Sequence, residues 1–310
     1  MKAGYTFTNR SVSTGTSVDD EAASGNSWAA DFSGSPNVCA DYDGDDKTDP
    51  AAYQDGQMTV AFSGSGYKLY EAVMNGPGGI ECSADFDGDG KTDPAVYNPT
   101  TSLLSVLCSA QSYALGTMRM GGAGCAPVVG DFDGDCKADP AVYVATSSLL
   151  VAWLSNSGYS NAYAFGASLS GAEWINASED YDGDGKTDPA VFQTASGMWQ
   201  ALLSSHEYSP SYCVTAGGAG IVPVAGDYDG DSKADLMVFQ PDGGLWRCIF
   251  SGQGYTTTES ITGLGGSTMV ARAGDYDGDG KTDPAVYDPM TRTFYAMLSG
   301  SGYRLSSLSW

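Results

Sequence analysis

A ten-residue acidic phrase recurs six times along the chain at nearly even intervals. It begins at Asp41 as DYDGDDKTDP, and successive copies start 44, 46, 49, 47 and 48 residues further on. Every copy has Asp at positions 1, 3, 5 and 9, Gly at position 4 and Lys at position 7. A repeat of this length predicts that one small structural unit is built six times and that neighbouring units pack on each other.

Other landmarks keep the same interval and divide each unit into four short strands. An apolar run such as Ala95-Val96-Tyr97 follows each phrase, and a bulky residue, a Ser and a Tyr then follow in order, as in Met58, Ser63 and Tyr67. β-branched and aromatic residues fill the runs, and Gly, Pro and Ser interrupt every window long enough for a helix. Four strands per repeat of about 40–50 residues is typical of a propeller blade.

We therefore predict an all-β fold, a β-propeller of four-stranded blades in which residues 37–310 form one domain with six Asp-loop blades. Residues 1–36 lack the acidic phrase. Trp28 nevertheless precedes Ser33 by five residues, the spacing of the third strand in the other units. This segment is either a leader or a degenerate seventh blade, so the ring has six or seven blades.

The strongly acidic composition excludes several classes of partner. The chain has 14 basic and 38 acidic residues in 310, for a formal net charge of −24. Nucleic-acid binders need a basic patch, and anionic lipids repel such a surface. No apolar run approaches the roughly 20 residues that span a bilayer. We predict no nucleic-acid partner and no membrane insertion.

The acidic phrase has the chemistry of a calcium-binding loop. Four Asp side chains within nine residues repel one another unless a cation lies among them. Calcium takes six to eight oxygen ligands at about 2.3–2.6 Å in irregular geometry, whereas magnesium keeps its waters and zinc or copper prefers His or Cys. We predict one calcium ion per loop, about six in all; the alternative is an acidic solvated turn that binds nothing.

In each loop we assign the carboxylates of positions 1, 3, 5 and 9 as ligands, together with the backbone carbonyl of the Lys at position 7, whose side chain is expected to point outward. The predicted metal ligands are Asp41, Asp43, Asp45, Lys47 and Asp49; Asp85, Asp87, Asp89, Lys91 and Asp93; Asp131, Asp133, Asp135, Lys137 and Asp139; Asp180, Asp182, Asp184, Lys186 and Asp188; Asp227, Asp229, Asp231, Lys233 and Asp235; and Asp275, Asp277, Asp279, Lys281 and Asp283.

The phrase DYDGDGKTDPAVY at 275–287 and its five relatives resemble the FG-GAP/VCBS repeats. The resemblance extends from Asp41 to about Trp310. It implies an integrin-α-like propeller of the bacterial secreted or surface type, in which the loop joins the first two strands of a blade and binds calcium.

The fifth copy departs from the family pattern in having Leu236 at position 10, and the third has Cys136 at position 6. Neither change removes a carboxylate. The integrin phrase is only faintly present, at Phe165-Gly166, so integrin-type ligand recognition is not implied.

The sequence offers little material for catalysis. His206 is the only histidine and falls in an expected exposed turn, and no nucleophile elbow, phosphate-binding loop or zinc-protease motif is present. We predict no catalytic residue and a calcium-stabilised binding or adhesion scaffold that recognises a protein or glycan at a propeller face. The alternatives are a lectin, or a carbohydrate-active enzyme such as a polysaccharide lyase or hydrolase.

Three features leave alternatives open. Trp174 breaks the repeat and either stacks on sugars or belongs to the core. Glu179 stands where other copies have Ala or Gly, and it is either an additional ligand or an exposed acid. The pairing of the seven cysteines cannot be deduced from the sequence.

Because cytosolic calcium is too scarce to fill six moderate sites, we predict an extracellular, periplasmic or cell-surface location. No signal peptide is visible in the chain, and we expect one to have been removed or to lie outside it.

Overall fold

The computed structural model describes residues 8–10, 40–54, 56–74, 78–122, 124–144, 146–165, 174–209, 212–216, 218 and 220–309. These residues form six antiparallel four-stranded sheets. The strands are β1 Thr8–Arg10, β2 Ala51–Gln54, β3 Gln57–Phe62 and β4 Lys68–Val73 in blade 1; β5 Ile80–Glu81, β6 Ala95–Asn98, β7 Leu103–Cys108 and β8 Ala114–Arg119 in blade 2; and β9 Cys125–Gly130, β10 Asp139–Val144, β11 Leu149–Trp153 and β12 Ala162–Phe165 in blade 3.

The remaining three blades repeat the strand order of blades 2 and 3. Their strands are β13 Trp174–Asn176, β14 Ala190–Gln193, β15 Met198–Ala201 and β16 Tyr212–Thr215 in blade 4; β17 Val222–Pro223, β18 Leu236–Gln240, β19 Leu245–Ile249 and β20 Thr258–Thr262 in blade 5; and β21 Val270–Ala271, β22 Ala285–Asp288, β23 Thr293–Leu298 and β24 Arg304–Ser309 in blade 6. The predicted all-β fold with four strands per blade is confirmed.

A short 3-10 turn joins the third and fourth strands of every blade. The six turns are Ser63–Ser65, Ser109–Gln111, Ser155–Ser157, Ser204–His206, Ser251–Gln253 and Ser299–Ser301. Because the two strands pair antiparallel, as β3 does with β4, each turn closes a hairpin. Across the described ranges there is no α-helix, and accordingly none that is long and apolar enough to cross a bilayer.

The strand that leaves the Asp loop is largely buried in blades 2 to 6, whereas β2 in blade 1 is only half-buried. In blade 2 the side chains of Ala95, Val96 and Tyr97 are at most 1% exposed, and Tyr97 lies opposite Leu104 on β7. The outermost strand is exposed instead, as all but one residue of β24 shows. Because successive side chains of a strand point to opposite faces, β6 packs on both neighbouring blades, with Val96 in a cluster shared with blade 1 and Tyr97 in a cluster shared with blade 3.

One repeated backbone hydrogen bond joins the six Asp loops into a closed ring. The N–H at position 8 of each loop donates to the carbonyl oxygen at position 1 of the preceding loop, always at 2.6 or 2.7 Å. The bond from Thr92 to Asp41 joins loop 2 to loop 1, and the bond from Thr48 to Asp275 joins loop 1 back to loop 6. The ring therefore closes over six blades.

The N-terminal segment is described only in part. Strand β1 pairs with β4, so Thr8–Arg10 adds to the outer edge of blade 1. The hypothesis that residues 1–36 form a leader or a degenerate seventh blade otherwise lies outside the described residues. At the inner end of blade 1, Asp49 donates its N–H to the carbonyl of Ala40 at 2.7 Å, as Asp93 does to Ala84 in blade 2 at 2.8 Å.

Candidate metal centre

The Asp at position 1 folds each loop by accepting backbone hydrogen bonds. In loop 1, Asp41 Oδ1 accepts from the N–H of Gly44 at 2.6 Å, and Oδ2 accepts from the N–H of Asp46 at 2.7 Å. Gly44 has a φ of +81°, and the glycines at position 4 of the other loops have φ between +77° and +83°. A side chain is strained in this left-handed region, which explains the invariance of Gly within the six copies.

The 3-10 turn of the same blade covers the loop and bonds three of its carboxylates. The N–H of Ser63 donates to Asp49 Oδ1 at 2.6 Å, its Oγ donates to Asp45 Oδ1 at 2.8 Å, and the N–H of Gly64 donates to Asp43 Oδ2 at 3.1 Å. The same three bonds occur in loop 2, from Ser109 and Ala110. The Ser landmark is therefore part of the acidic site, a role that sequence reasoning missed.

The Tyr that follows each turn has an unusual backbone. Tyr67 has a φ of +62°, and its five equivalents have φ between +59° and +61°. A left-handed backbone costs a residue other than Gly roughly 1–2 kcal/mol. The hydroxyl of Tyr159 donates to the carbonyl of Phe86 in the preceding loop at 2.9 Å, and the hydroxyl of Tyr255 also reaches the carbonyl of Tyr181 in the preceding loop, at 3.3 Å. The strained turn thus aims Ser and Tyr at two neighbouring loops.

One oxygen of each loop is buried without a hydrogen-bond partner among the described residues. It is Oδ1 of the position-3 Asp, and the six atoms belong to Asp43, Asp87, Asp133, Asp182, Asp229 and Asp277. Leaving a buried carboxylate oxygen without a donor or a cation is costly. The same atom is left open in six of six loops, so each loop has a place for a positively charged ligand beside its position-3 side chain.

The carboxylates lie close enough together to share one ion. In loop 1 one oxygen each from Asp41, Asp43 and Asp49 lie within 4.8 Å of one another, and in loop 2 the same is true of Asp85, Asp87 and Asp89. Oxygens that surround one calcium ion at about 2.3–2.6 Å are separated by distances of this order. The all-oxygen donor set and the unpartnered oxygen both fit calcium.

Burial raises the pKa of the innermost carboxyl of every loop. The position-9 side chains are at most 1% exposed. Burial raises the pKa of Asp49 and Asp188 to about 7, and that of the other four to about 6; these are Asp93, Asp139, Asp235 and Asp283. Backbone donors at Ser and at position 2 oppose this effect only in part. A divalent cation would stabilise the ionised form of these groups.

The lysines do not point outward as the sequence analysis expected. The ammonium of Lys91 donates to the carbonyl of Asp43 in the preceding loop at 2.8 Å. The expectation failed because it considered only the loop to which the lysine belongs, whereas the acceptor lies in the preceding blade. Whether the lysine carbonyl is a metal ligand stays a prediction.

The residues that depart from the repeat pattern lie in different environments. Trp174 packs against the apolar cluster between blades 3 and 4, which favours the core alternative. Burial, with a smaller contribution from Asp180, raises the pKa of Glu179 to about 8, and a role as an additional ligand stays a prediction. His206 is exposed at the end of its 3-10 turn. Cys82, Cys108, Cys125, Cys136 and Cys248 are free thiols.

Comparison with known protein families matches part of the repeat region. Residues 227–286, which include the fifth and sixth loops, match the FG-GAP-like repeat family. The hydrogen bonds that the position-1 Asp accepts from Gly and that the position-9 Asp accepts from the turn Ser recur in all six blades. The chain is a six-bladed β-propeller with an FG-GAP-like repeat in this segment. No curated protein matches its sequence.

Several solved structures share the propeller fold of this chain at low sequence identity. A lectin from Agrocybe aegerita that recognises non-reducing terminal N-acetylglucosamine has a TM-score of 0.59 and 14% identity, over 88% of this chain and 79% of the lectin. Virginiamycin B lyase from Staphylococcus aureus has a TM-score of 0.53 and 8% identity, over 86% and 82% of the two chains. A streptogramin B lyase has a TM-score of 0.54 and 8% identity, over 88% and 85%.

Proposed function

We propose that the six loops bind calcium and that the ions stabilise a propeller whose function is to bind a partner. The ligands in each loop are the carboxylates at positions 1, 3, 5 and 9 and the carbonyl of the Lys at position 7. The observation that carries this proposal is the buried Oδ1 of the position-3 Asp, which is unpartnered in every loop. Six calcium ions would change the formal net charge from −24 to −12.

The partner is proposed to be a protein or a glycan at a propeller face. The loops that connect blade strands surround the axis of a propeller and offer many exposed backbone and side-chain groups at one place. An adhesion or scaffold function at an extracellular, periplasmic or cell-surface location fits this arrangement, since the calcium outside cells is sufficient to fill moderate sites. No residue of the chain is proposed to be catalytic.

Isothermal titration calorimetry on protein dialysed against EGTA tests the calcium proposal. We expect about six calcium ions per chain, with magnesium at the same concentration giving little heat, because the carboxylate-rich loops favour the larger ion. A position-3 variant such as Asp133→Ala should bind about one ion fewer. Absence of calcium binding by the wild-type chain would contradict the proposal.

A lectin function is the second candidate, and an exposed aromatic side chain favours it. Tyr163 on β12 is 50% exposed, and its ring centroid lies 4.8 Å from that of Phe165 and 6.3 Å from that of Tyr208. A half-exposed ring held by other aromatic rings is suited to stacking on a sugar. A glycan array with wild-type protein and Tyr163→Ser tests this, and turnover of acidic polysaccharides tests the enzyme alternative. Binding to a protein partner with neither outcome supports the scaffold function.

A further inference from the structure

Each lysine at position 7 of a loop lies against the preceding loop. Lys91 Nζ donates to the carbonyl of Asp43 at 2.8 Å, and Lys137 Nζ donates to that of Asp87 at 2.9 Å. The alkyl part of the side chain crosses the glycine at position 4 of the same preceding loop. A Cβ added to Gly88 would lie 2.9 Å from Lys137 Cε, so the glycine leaves the space that the lysine fills.

This packing occurs at all six seams between blades. A Cβ added to the position-4 glycine would lie 2.9–3.1 Å from Cε of the lysine in the following loop. The six pairs are Gly44 with Lys91, Gly88 with Lys137, Gly134 with Lys186, Gly183 with Lys233, Gly230 with Lys281, and Gly278 with Lys47. The last pair joins loop 6 to loop 1, so the lysines form a closed and one-directional circuit.

Each loop contacts the preceding loop at the backbones of two candidate ligand residues. The ammonium groups of Lys91, Lys137 and Lys281 bond the carbonyl of position 3 in the preceding loop, whose side chain has the unpartnered Oδ1. The N–H at position 8 bonds the carbonyl of position 1. The backbones of both candidate ligand residues in one loop are therefore held by the following loop. The following loop is itself an acidic site.

We infer that the six lysines are positioning residues for the metal site of the neighbouring blade, and that the six sites consequently bind as a coupled ring. This inference rests on the proposed calcium binding. An ion in one loop orders its positions 1 and 3, and these hold the lysine and the position-8 N–H of the next loop. The next loop then loses less conformational freedom when it binds its own ion, which makes the coupling positive.

A double-mutant cycle on Lys91 tests the inference. Lys91→Met retains the alkyl chain over Gly44 and removes only the ammonium. We expect the calcium dissociation constant of the affected sites to rise by about fivefold or more, the lower range for coupled sites, and the Hill coefficient to fall toward 1. Lys68→Met on β4, which lies outside the loops, is the matched control and should leave the isotherm unchanged.

The neighbouring site is identified by combining Lys91→Met with the loss of one loop. In an Asp43→Ala background the effect of Lys91→Met on calcium affinity should largely vanish, because the site it supports is gone. In an Asp182→Ala background, in which loop 4 is lost, the effect should persist. If Asp43→Ala does not fold, Asp43→Asn serves the same purpose.

Three results overturn the inference while leaving calcium binding intact. They are a wild-type isotherm of six independent sites, an effect of Lys91→Met that is undiminished in the Asp43 variant, and a loss of thermal stability in Lys91→Met that is equal with calcium and with EGTA. The last would assign the lysine a purely structural role. Absence of any calcium binding in the wild-type chain instead contradicts the proposed function itself.

Discussion

The seam between blades 2 and 3 and the seam between blades 6 and 1 are held in different ways. Blades 2 and 3 share one apolar cluster, in which Phe86 and Tyr97 of blade 2 pack with Val129 and Val142 of blade 3. Each of the next three seams, and the seam between blades 1 and 2, also contains a shared cluster. Among the described residues, the cluster on the outer face of blade 6 contains no member from blade 1.

The closing seam retains the position-8 hydrogen bond and the lysine–glycine packing of the other seams. Thr48 donates its N–H to the carbonyl of Asp275 at 2.6 Å, and the side chain of Lys47 lies over Gly278. The described residues thus join the two ends of the chain mainly through the Asp loops. Apolar packing does not depend on metal, whereas the loops carry buried like charges, so this seam should be the one most sensitive to calcium.

The largest expected effect is that of removing calcium altogether. One site saturated at about 100 times its dissociation constant adds about 2.7 kcal/mol of stability, and six sites act on one chain. We expect EGTA to lower the Tm by more than about 10 °C in differential scanning calorimetry. Hydrogen exchange in EGTA should rise first in blades 1 and 6 and later in blades 3 and 4. Uniform exchange in all blades would contradict the distinction between the seams.

The distinction becomes sharper when one equivalent residue is changed at each seam. Asp277→Ala changes loop 6, which loop 1 contacts at the closing seam. Asp87→Ala changes loop 2, which loop 3 contacts at a seam that also contains an apolar cluster. We expect both variants to lose stability in calcium, with a fall in Tm about twice as large for Asp277→Ala. Thermal unfolding followed by circular dichroism measures this. Equal losses would show that the apolar cluster gives no local protection.

The pH dependence of the metal-free protein should be opposite to that of an ordinary acidic protein. An unfolded Asp has a pKa of about 3.9, and burial raises the pKa of Asp49 and Asp188 in the folded chain to about 7. The folded state then binds more protons than the unfolded state between these values. Stability is highest below pH 4 for these groups and is lost as the pH rises to 7.

In EGTA we therefore expect a Tm several degrees higher at pH 5 than at pH 7.5. Saturating calcium should remove or reverse this difference, because the ion binds the ionised carboxylates. Calorimetry at the two pH values, with and without calcium, measures both effects. The same pH dependence in both conditions would mean that the buried carboxyls do not face the ion.

The smallest expected effect compares two hydroxyls of one 3-10 turn. Ser63 Oγ donates to Asp45 Oδ1, whereas Ser65 Oγ donates to the carbonyl of Phe62 within the turn. Ser63→Ala should cost about 1 kcal/mol of stability in calcium and should weaken calcium binding. Ser65→Ala is the control and should do neither. Similar isotherms for the two variants would separate the turn from the metal site.

Much of the fold could be predicted because the same local sequence pattern, an Asp phrase followed by an apolar run, occurs six times. The Asp phrase marked the loop between the first and second strands, and the run after it, such as Ala95–Asn98, is a buried strand in the structure. The number of Asp-loop blades also followed from the count of phrases. Three of the four predicted carboxylates lie close together in each of two loops, those of positions 1, 3 and 9 in loop 1 and those of positions 1, 3 and 5 in loop 2. The metal-ligand set itself stays a prediction.

The rest depended on contacts between residues far apart in the chain. Lys91 reaches a carbonyl 48 residues away, and a single repeat gives no sign of that acceptor. The left-handed backbone of Tyr67 was equally hidden, since a bulky residue ordinarily predicts an extended conformation. Closure of the ring depended on Thr48 and Asp275, which only the angle between successive blades brings together.

The one-way direction of the loop contacts has a consequence for assembly. Every loop presents donors on one flank and acceptors on the other, so a ring opened between blades 6 and 1 would expose Lys47 and Thr48 at one end and the carbonyl of Asp275 at the other. Two such ends are complementary between molecules as well as within one. The pairing that makes a closed monomer could then propagate head to tail into an open filament.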